Sequence, residues 1–333
     1  MTFSDSPARD GREQEARHQA AGPGAINAAA RDGFEHGFLS VPFEVQLLEC
    51  ETNAIAPYLR EYLPLDGLIL EAGSGSGRWV EWLHQEGRLA IGLDWSPRLS
   101  AVAASHSKGG YFLAADMRAI PLCNESVAGV VSLGAIEHSV EGPESALAEY
   151  FRVLRPGGIA VITVPNFSAF RRWVSVVRAP ERWLRASPTL RRFVGKPVGR
   201  QNLRAAKART PRPWYAEFTH TEEGWSFYEY RMSQEQLEQV VAAAGFEVVK
   251  PFGIDDDQGL WHTIGFNLTG RWVGEPLTLR LNAFGRTLRR MLPYGQTCHM
   301  VGCLAVRPTD NHRRVLGASI VEATQSGVAR KCC

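Results

Sequence analysis

Short apolar runs alternate along the chain with stretches in which apolar residues recur every three or four positions. The runs have the length of buried strands, and most of the stretches between them have the period of helices. The predicted strands are Leu68–Ala72, Leu89–Asp94, Tyr111–Ala115, Ala128–Leu133, Ile159–Val164, Phe246–Phe252 and His299–Val306. Repeated strand–helix alternation predicts a doubly wound α/β protein, with a mostly parallel sheet covered by helices on both faces.

Two helices outside this alternation have clear boundaries. Apolar positions from Phe43 to Leu63 follow a helical pattern, which Pro64 ends before the first strand. A second helix is predicted over Ser233–Ala244, with Ser233 as its N-cap and Gly245 as its C-cap.

The alternation is interrupted twice, and both interruptions carry apolar residues at helical spacing with arginines beside them. These apolar residues are Phe167, Phe170, Val174 and Val177 in the first interruption and Leu277, Leu281, Phe284, Leu288 and Met291 in the second. One interpretation is two helices that pack on the main domain and turn a basic face to solvent. The other is a cap over an active site that meets an anionic or membrane-bound acceptor.

The pattern divides the chain into seven parts. They are a flexible leader (1–30), a core with N-terminal helices (31–164), a basic Arg/Trp-rich cap insertion (165–230), a core helix and strand (231–253), a second cap insertion (254–296), a last core strand (297–307) and a loose tail (308–333).

Composition changes the picture only through the placement of charge. The chain has 333 residues, 44% hydrophobic and 22% charged, with a net charge of +2, which excludes a mainly disordered or fibrous protein. Residues 165–214, however, hold 13 Lys and Arg and a single acidic residue, Glu181. Such a bias indicates an anionic substrate, an anionic membrane surface, nucleic acid or an acidic face of the same protein.

The N-terminal residues are polar and carry both charge signs, without the apolar region of a secretory signal. No apolar run reaches the length of a transmembrane helix. The sequence therefore predicts a cytoplasmic protein, with the cationic amphipathic stretches as candidates for peripheral contact with an anionic membrane.

A glycine-rich turn follows the first predicted strand and leads into a helix. Its glycines are Gly73, Gly75 and Gly77, and backbone amides at such a turn can bind a polar or anionic ligand group. Alone, the turn fits a dinucleotide fold, a nucleotide loop or a simple tight turn. Asp94 ends the second strand, where a carboxylate can bind ribose hydroxyls, and Asp116 ends the third. The glycine spacing departs from the dinucleotide fingerprint, and dinucleotide enzymes do not generally need the third acid.

Together these motifs resemble the class I S-adenosylmethionine-dependent methyltransferases, and most closely the broad branch that includes the ubiquinone and menaquinone C-methyltransferases. The matching segments are Glu71–Gly77, Gly92–Ser96, Ala115–Met117, Leu133–His138, Val153–Gly158 and Ala243–Glu247. The resemblance implies a Rossmann-like sheet of seven strands whose last strand is antiparallel, with the two insertions as helical caps. It also implies S-adenosylmethionine as the cofactor.

The resemblance assigns a place to each residue of the cofactor site. Glu71 orients the glycine loop and the methionine end of the cofactor, and Ser74 belongs to this loop. Asp94 and Trp95 contact ribose and adenine. Asp116 and Met117 hold the edge and face of adenine, and the backbone at Leu133 and Gly134 meets the methionine portion.

Methyl transfer from a sulfonium is an in-line displacement that needs alignment more than acid–base chemistry. His138, just after the fourth strand, is the best-placed candidate base should the acceptor lose a proton, and His220 and His262 are further candidates in the insertions. Arg171, Arg172 and Trp173 are candidate acceptor-binding residues. No metal site is predicted, because the adjacent carboxylates Asp255, Asp256 and Asp257 fit a loop or the start of a helix better.

The sequence predicts methyl transfer to a small-molecule or lipid-like acceptor. The positive charge of the basic insertion favours an anionic acceptor. An RNA or protein methyltransferase using that insertion is an alternative, although no RNA-binding module is recognisable. A non-catalytic cofactor-binding scaffold is a further alternative, and an NAD(P)-dependent oxidoreductase is disfavoured by the glycine spacing.

Overall fold

The computed structural model describes residues 35–178, 210–221, 224–264, 268–273, 278–293 and 295–309. The helices in these ranges are α1 (Phe43–Thr52), α2 (Ala56–Tyr62), α3 (Arg78–Gln85), α4 (Pro97–His106), α5 (Glu144–Val153), α6 (Ala169–Val177), α7 (Gln234–Ala243), α8 (Asp256–Ile264) and α9 (Ala283–Met291). The strands are β1 (Leu68–Ala72), β2 (Leu89–Asp94), β3 (Tyr111–Ala114), β4 (Val127–Leu133), β5 (Leu154–Pro165), β6 (Tyr215–Thr221), β7 (Gly224–Arg231), β8 (Glu247–Ile254), β9 (Gly270–Val273), β10 (Thr278–Leu281) and β11 (Met300–Val306). The predicted leader and most of the predicted tail lie outside the described residues.

Seven strands form one sheet in the order β3-β2-β1-β4-β5-β11-β8. Strands β1 to β5 pair in parallel, whereas β11 is antiparallel to both β5 and β8. This confirms the predicted Rossmann-like fold class and the insertion of the last strand between two others. Because β8 runs in the same direction as β5, the carboxyl ends of six strands and the start of β11 meet at one edge of the sheet.

The central strands are apolar on both faces because helices cover both. Four of the five residues of β1 and six of the seven of β4 are buried. One apolar layer packs around Tyr150 of α5 and Leu237 of α7, and the other packs around Trp82 of α3 and Leu59 of α2. These two layers hold the sheet rigid and fix the positions of its strand ends.

The helical pattern over Phe43–Leu63 is divided between two helices, α1 and α2. The chain turns between α1 and α2 because the Asn53 side chain accepts a hydrogen bond from the Ile55 amide at 3.0 Å. Such a local side-chain bond offers the backbone an alternative to continuing the helix. Both halves still pack on the sheet face beside α3.

Helix α7 begins as its sequence predicts. The Ser233 hydroxyl accepts from the Gln236 amide at 3.3 Å, and the Gln236 side chain accepts from the Ser233 amide at 2.9 Å. This reciprocal pair satisfies two amides at the helix start. Gly245 follows the helix with a φ of +99°, a conformation that favours glycine.

The predicted insertions contain strands as well as helices. Helix α6 and the β6–β7 hairpin belong to the first insertion, and α8, the β9–β10 hairpin and α9 belong to the second. The helical pattern predicted through Leu281 was wrong there, because Leu281 lies in β10 and the helix begins only after Asn282. The Asn282 side chain caps α9 by accepting from the Gly285 amide at 2.9 Å. No helix within the described ranges is long and apolar enough to cross a membrane.

Truncating a β1 core side chain tests how much the sheet depends on this packing. Leu70 is fully buried, so we expect Leu70→Ala to lower the free energy of unfolding by about 2–5 kcal/mol. The matched control is Leu65→Ala, since Leu65 is 70% exposed and its truncation should change stability by less than about 0.5 kcal/mol. Urea denaturation of both variants measures the difference, and equal losses would show that β1 is not part of the core.

Candidate functional site

The loops at the carboxyl edge of the sheet converge at the turn after β1. Gly73 has a φ of +85°, and a Cβ placed on it would lie 2.5 Å from the Cβ of Ala135, which follows β4. The same Cβ would lie 3.8 Å from the Met117 methyl group, which follows β3. Only glycine allows this close approach, so the three strand ends are brought into contact at Gly73.

The glycine loop is held against β2 and covered by residues from the N-terminal side. The amides of Gly73 and Ser74 donate to the Leu93 carbonyl at 2.7 and 3.0 Å. The Phe38 ring lies against Gly75, where an added Cβ would come within 2.8 Å of it. Gln46 of α1 connects the segment at Phe38 to the glycine loop, since its side chain donates to the Phe38 carbonyl and accepts from the Ser76 hydroxyl.

Two buried polar side chains at the glycine loop each have one atom without a hydrogen-bond partner among the described residues. These atoms are Glu71 Oε2 and Ser74 Oγ. Burial raises the pKa of Glu71 to about 8, although Arg78 at the start of α3 opposes this shift. A buried carboxylate of this kind favours a cation or a proton nearby.

Asp94 ends β2 with its carboxylate facing the glycine loop. Its Oδ2 accepts from the Gly75 amide and its Oδ1 from the Ser96 amide, each at 2.9 Å. Burial raises the pKa of Asp94, while these two amides oppose the shift. Because a carboxylate offers about four acceptor positions, both oxygens can still accept from a pair of ligand hydroxyls.

The two residues of interest after β3, Asp116 and Met117, differ in burial. Asp116 is exposed, and its carboxylate forms a bidentate pair with Arg118, which lowers the pKa of Asp116. Met117 lies inward, where its sulfur accepts from the Tyr150 hydroxyl at 3.3 Å. Trp95, after β2, is half-buried. An adenine position between these residues remains a prediction.

The segment after β4 forms a short 3-10 helix, Ile136–His138, that carries an acid and a base side by side. Gly134 has a φ of +66° and leads into this turn. His138 Nδ1 lies 2.8 Å from the Tyr228 carbonyl oxygen of β7, and its Nε2 lies 4.0 Å from Glu137 Oε1. Burial lowers the pKa of His138, although the carbonyls of Tyr228 and Gly134 favour its protonated form.

An open cavity of about 220 Å³ lies where the two insertions meet the ends of β5 and β7. Its lining includes Phe167, Arg171, Tyr215, Glu217, Arg231 and His262. Phe167 and Tyr215 form a stacked aromatic pair with ring centres 4.1 Å apart. Burial, with Arg171 and Arg231 nearby, lowers the pKa of His262 to about 4, so this ring is neutral at pH 7.

Only some of the acceptor-binding residues predicted from sequence line the cavity. Arg171 and His262 line the cavity, whereas Arg172 and Trp173 are exposed on α6 and do not line it. His220 lies in β6, but its side chain is outside the described part. The three consecutive aspartates mark a helix start, because α8 begins at Asp256, as predicted.

Sequence reasoning missed the residues that the β6–β7 hairpin contributes. Glu217, Glu229 and Arg231 form an ion-pair chain in which Arg231 binds both acids, at 2.5 Å and 2.9 Å. Alternation of polar and aromatic residues in these strands is the available signal, and the surrounding excess of arginine obscured it.

The residues present fit S-adenosylmethionine. Asp94 at the end of β2 can accept from ribose hydroxyls, and the buried Glu71 oxygen without a partner suits a cationic amino-acid end. The glycine loop keeps a side chain out of the space between the ends of β1 and β4. These residues would hold the cofactor, which supplies a methyl group activated by a sulfonium.

Comparison with known proteins agrees with this site. Residues 70–162 match the family model of a methyltransferase domain. A probable S-adenosylmethionine-dependent methyltransferase of Mycolicibacterium smegmatis is 32% identical over 102 residues, which cover 31% of this chain and 39% of that protein. A demethylmenaquinone methyltransferase of Renibacterium salmoninarum is 32% identical over 107 residues, covering 31% and 44%.

A third relative is a malonyl-[acyl-carrier protein] O-methyltransferase of Pectobacterium atrosepticum, 32% identical over 91 residues, or 27% of this chain and 36% of that protein. The chain therefore spans about two fifths of the length of the curated relatives it matches. The match covers the glycine loop, Asp94, Asp116 and His138 but neither insertion.

Among solved structures, the complex between the Haloferax volcanii Trm112 methyltransferase activator and a putative methyltransferase contains a similar chain. The similarity has a TM-score of 0.50 at 16% identity and covers 84% of this chain and 96% of that one, which supports the fold alone. Residues 70–162 are therefore a class I S-adenosylmethionine-dependent methyltransferase domain, and S-adenosylmethionine is the cofactor of this domain.

Proposed function

We propose that the protein transfers a methyl group from S-adenosylmethionine to a small anionic acceptor that binds in the cavity beside β5 and β7. The environment of Arg171 is the main support for this proposal. Its guanidinium is buried, lines the cavity and has no carboxylate at ion-pair distance among the described residues.

Arg171 is held in place by neutral acceptors. Its three hydrogen bonds go to the Thr263 hydroxyl at 3.0 Å, the Asn166 carbonyl at 2.7 Å and the Gly259 carbonyl at 3.3 Å. Burial lowers the pKa of Arg171 to about 10, which leaves it charged at pH 7. A buried charge without a counter-ion costs free energy, and an anionic ligand would offset that cost.

The other charges of the cavity wall support an anion as well. Arg231 is shared between Glu217 and Glu229, while Arg178 and Arg171 bring two further positive charges. The Phe167–Tyr215 pair adds an aromatic surface beside these arginines. An acceptor with a flat apolar body and a carboxylate or similar anion suits this combination.

Methyl transfer requires the protein mainly to align the acceptor with the methyl group and to exclude water. The glycine loop, Glu71 and Asp94 fix one reactant at the ends of β1 and β2. Arg171 fixes the other reactant at the end of β5, on the same edge of the sheet. In-line displacement requires the acceptor atom, the methyl carbon and the sulfur to lie on one line between the two sites.

Replacing Asp94 tests the cofactor half of the proposal. Asp94→Asn should weaken S-adenosylhomocysteine binding about tenfold or more, because it removes charge-assisted hydrogen bonds worth about 1–3 kcal/mol. Calorimetric titration measures the change. Asp257→Asn is the control, since that carboxylate pairs with Arg289 on the surface and its loss should leave affinity unchanged. Equal affinities for all three proteins would refute the assignment of Asp94.

Replacing Arg171 tests the acceptor half. Arg171→Met should weaken the binding of benzoate, used as an aromatic anion probe, at least tenfold in the presence of S-adenosylhomocysteine. Affinity for S-adenosylhomocysteine itself should not change, because Arg171 lies in the cap.

The neighbouring Arg172→Met variant is a matched comparison, because Arg172 is exposed on the same helix and does not line the cavity, and its guanidinium meets the cavity wall only through the Phe167 ring, 5.8 Å away. It should lose far less benzoate affinity than Arg171→Met. Arg171→Lys keeps the charge in case the methionine variant folds poorly, and it should retain more benzoate affinity than Arg171→Met. Benzoate binding that is equal in the Arg171 and Arg172 variants would contradict an anion site at Arg171.

A further inference from the structure

Three potential metal ligands meet at the boundary between the methyltransferase domain and the β6–β7 hairpin. Glu137 and His138 come from the 3-10 helix after β4, and Glu229 comes from β7. One ligating atom from each side chain lies within 4.8 Å of the other two. The two carboxylates are buried, at 1% exposure for Glu137 and 6% for Glu229.

Two buried carboxylates this close repel one another, and either a proton or a cation compensates the repulsion. Arg231 supplies part of the compensating positive charge, because its Nε lies 2.9 Å from Glu229 Oε1. The same guanidinium also binds Glu217, so its charge is divided between two acids. Neither of these bonds reaches Glu137.

The state of the Glu137 carboxylate points to a ligand. Its Oε2 is buried and has no hydrogen-bond partner among the described residues, while its Oε1 lies 4.0 Å from His138 Nε2. A carboxylate oxygen in this state is rare, because buried polar atoms nearly always have a partner. A bound cation would satisfy it.

The orientation of His138 suits a metal ligand. Its Nδ1 faces the Tyr228 carbonyl at 2.8 Å, and a carbonyl only accepts, so Nδ1 carries the proton in the neutral ring. In the tautomer protonated at Nδ1, Nε2 can bind a metal ion, and it lies 4.0 Å from Glu137 Oε1. The Gly134 carbonyl also interacts with this ring, so metal binding has to displace any proton that it favours there. Histidines that bind metals through one nitrogen usually donate the other N–H to a carbonyl or carboxylate in this way.

We propose that Glu137, His138 and Glu229 bind one divalent transition-metal cation. Two carboxylates and one imidazole suit Mn²⁺, Fe²⁺ or Zn²⁺ better than an all-oxygen site would. Ligand atoms lie about 2.0–2.2 Å from such an ion, so closing the site needs shifts of about 1 Å or less from the present spacing.

Three protein ligands leave at least one position of the ion for another molecule. Arg231 contacts Glu229 and lines the acceptor cavity, so the cluster and the cavity share a wall. An oxygen atom of the anionic acceptor would bind the ion at this position. That last step rests on the proposed function, whereas cation binding itself does not.

Titration of the metal-free protein with MnCl₂ and with ZnCl₂ tests the site. We expect one ion per chain, and anomalous diffraction from a manganese-soaked crystal should place it between Glu137 and Glu229. Glu137→Gln and Glu229→Gln should each weaken binding at least tenfold. Glu125→Gln is the control, because Glu125 pairs with Arg307 on the surface and lies outside the cluster, so the affinity of this variant for the ion should not change.

Binding that persists in both glutamine variants, an anomalous peak elsewhere or the absence of stoichiometric binding would overturn the site. Should the variants fail to fold, the position of the peak in the unmodified protein decides alone. A protein that binds S-adenosylhomocysteine but no cation would refute the metal site and leave methyl transfer standing. The two proposals therefore fail separately.

Discussion

At Gly73 the loop after β1 passes so close to the loop after β4 that no side chain fits between them. A Cβ there would overlap Ala135, and the positive φ of this residue already favours glycine. This contact sets the positions of everything at the carboxyl edge of the sheet. It brings Met117 beside the loop, places Asp94 within hydrogen-bond reach of Gly75 and starts the 3-10 helix that carries His138. The cofactor site is a consequence of how tightly these strand ends approach.

The charged side chains of the two insertions and the adjoining strand ends are not all paired to the same extent. Most of the described basic side chains on the surface pair with acids or meet solvent, but Arg171 is buried against neutral acceptors, and Glu137 is buried with an oxygen that has no partner in the described part of the chain. Arg171 and an ionised Glu137 have opposite charges and lie at the same end of the sheet. An anionic acceptor would offset the first and a cation would offset the second. The two requirements are compatible, because a metal ion commonly holds an anionic oxygen.

Sequence periodicity predicted the sheet well because the central strands are buried on both faces, which leaves an unbroken apolar signal. The bounds of β1 and β2 agree with the predicted ones, and the antiparallel last strand followed from the family resemblance. The hairpin β6–β7 was missed because its strands alternate polar and aromatic residues within an arginine-rich segment. Glu229 and the cavity could not be predicted, since they depend on contacts between segments about 90 residues apart, such as Arg171 with Thr263 or His138 with Tyr228. No local pattern records such a contact.

Calorimetric titration of the unmodified protein with S-adenosylhomocysteine, beside a parallel titration with NADH, tests the central assignment most directly. The glycine loop, Glu71 and Asp94 predict one S-adenosylhomocysteine per chain with micromolar affinity and no binding of NADH. Preference for NADH would mean that the glycine loop serves a dinucleotide. Binding of neither ligand would mean that the domain keeps the methyltransferase fold without its cofactor, and either result would contradict the account.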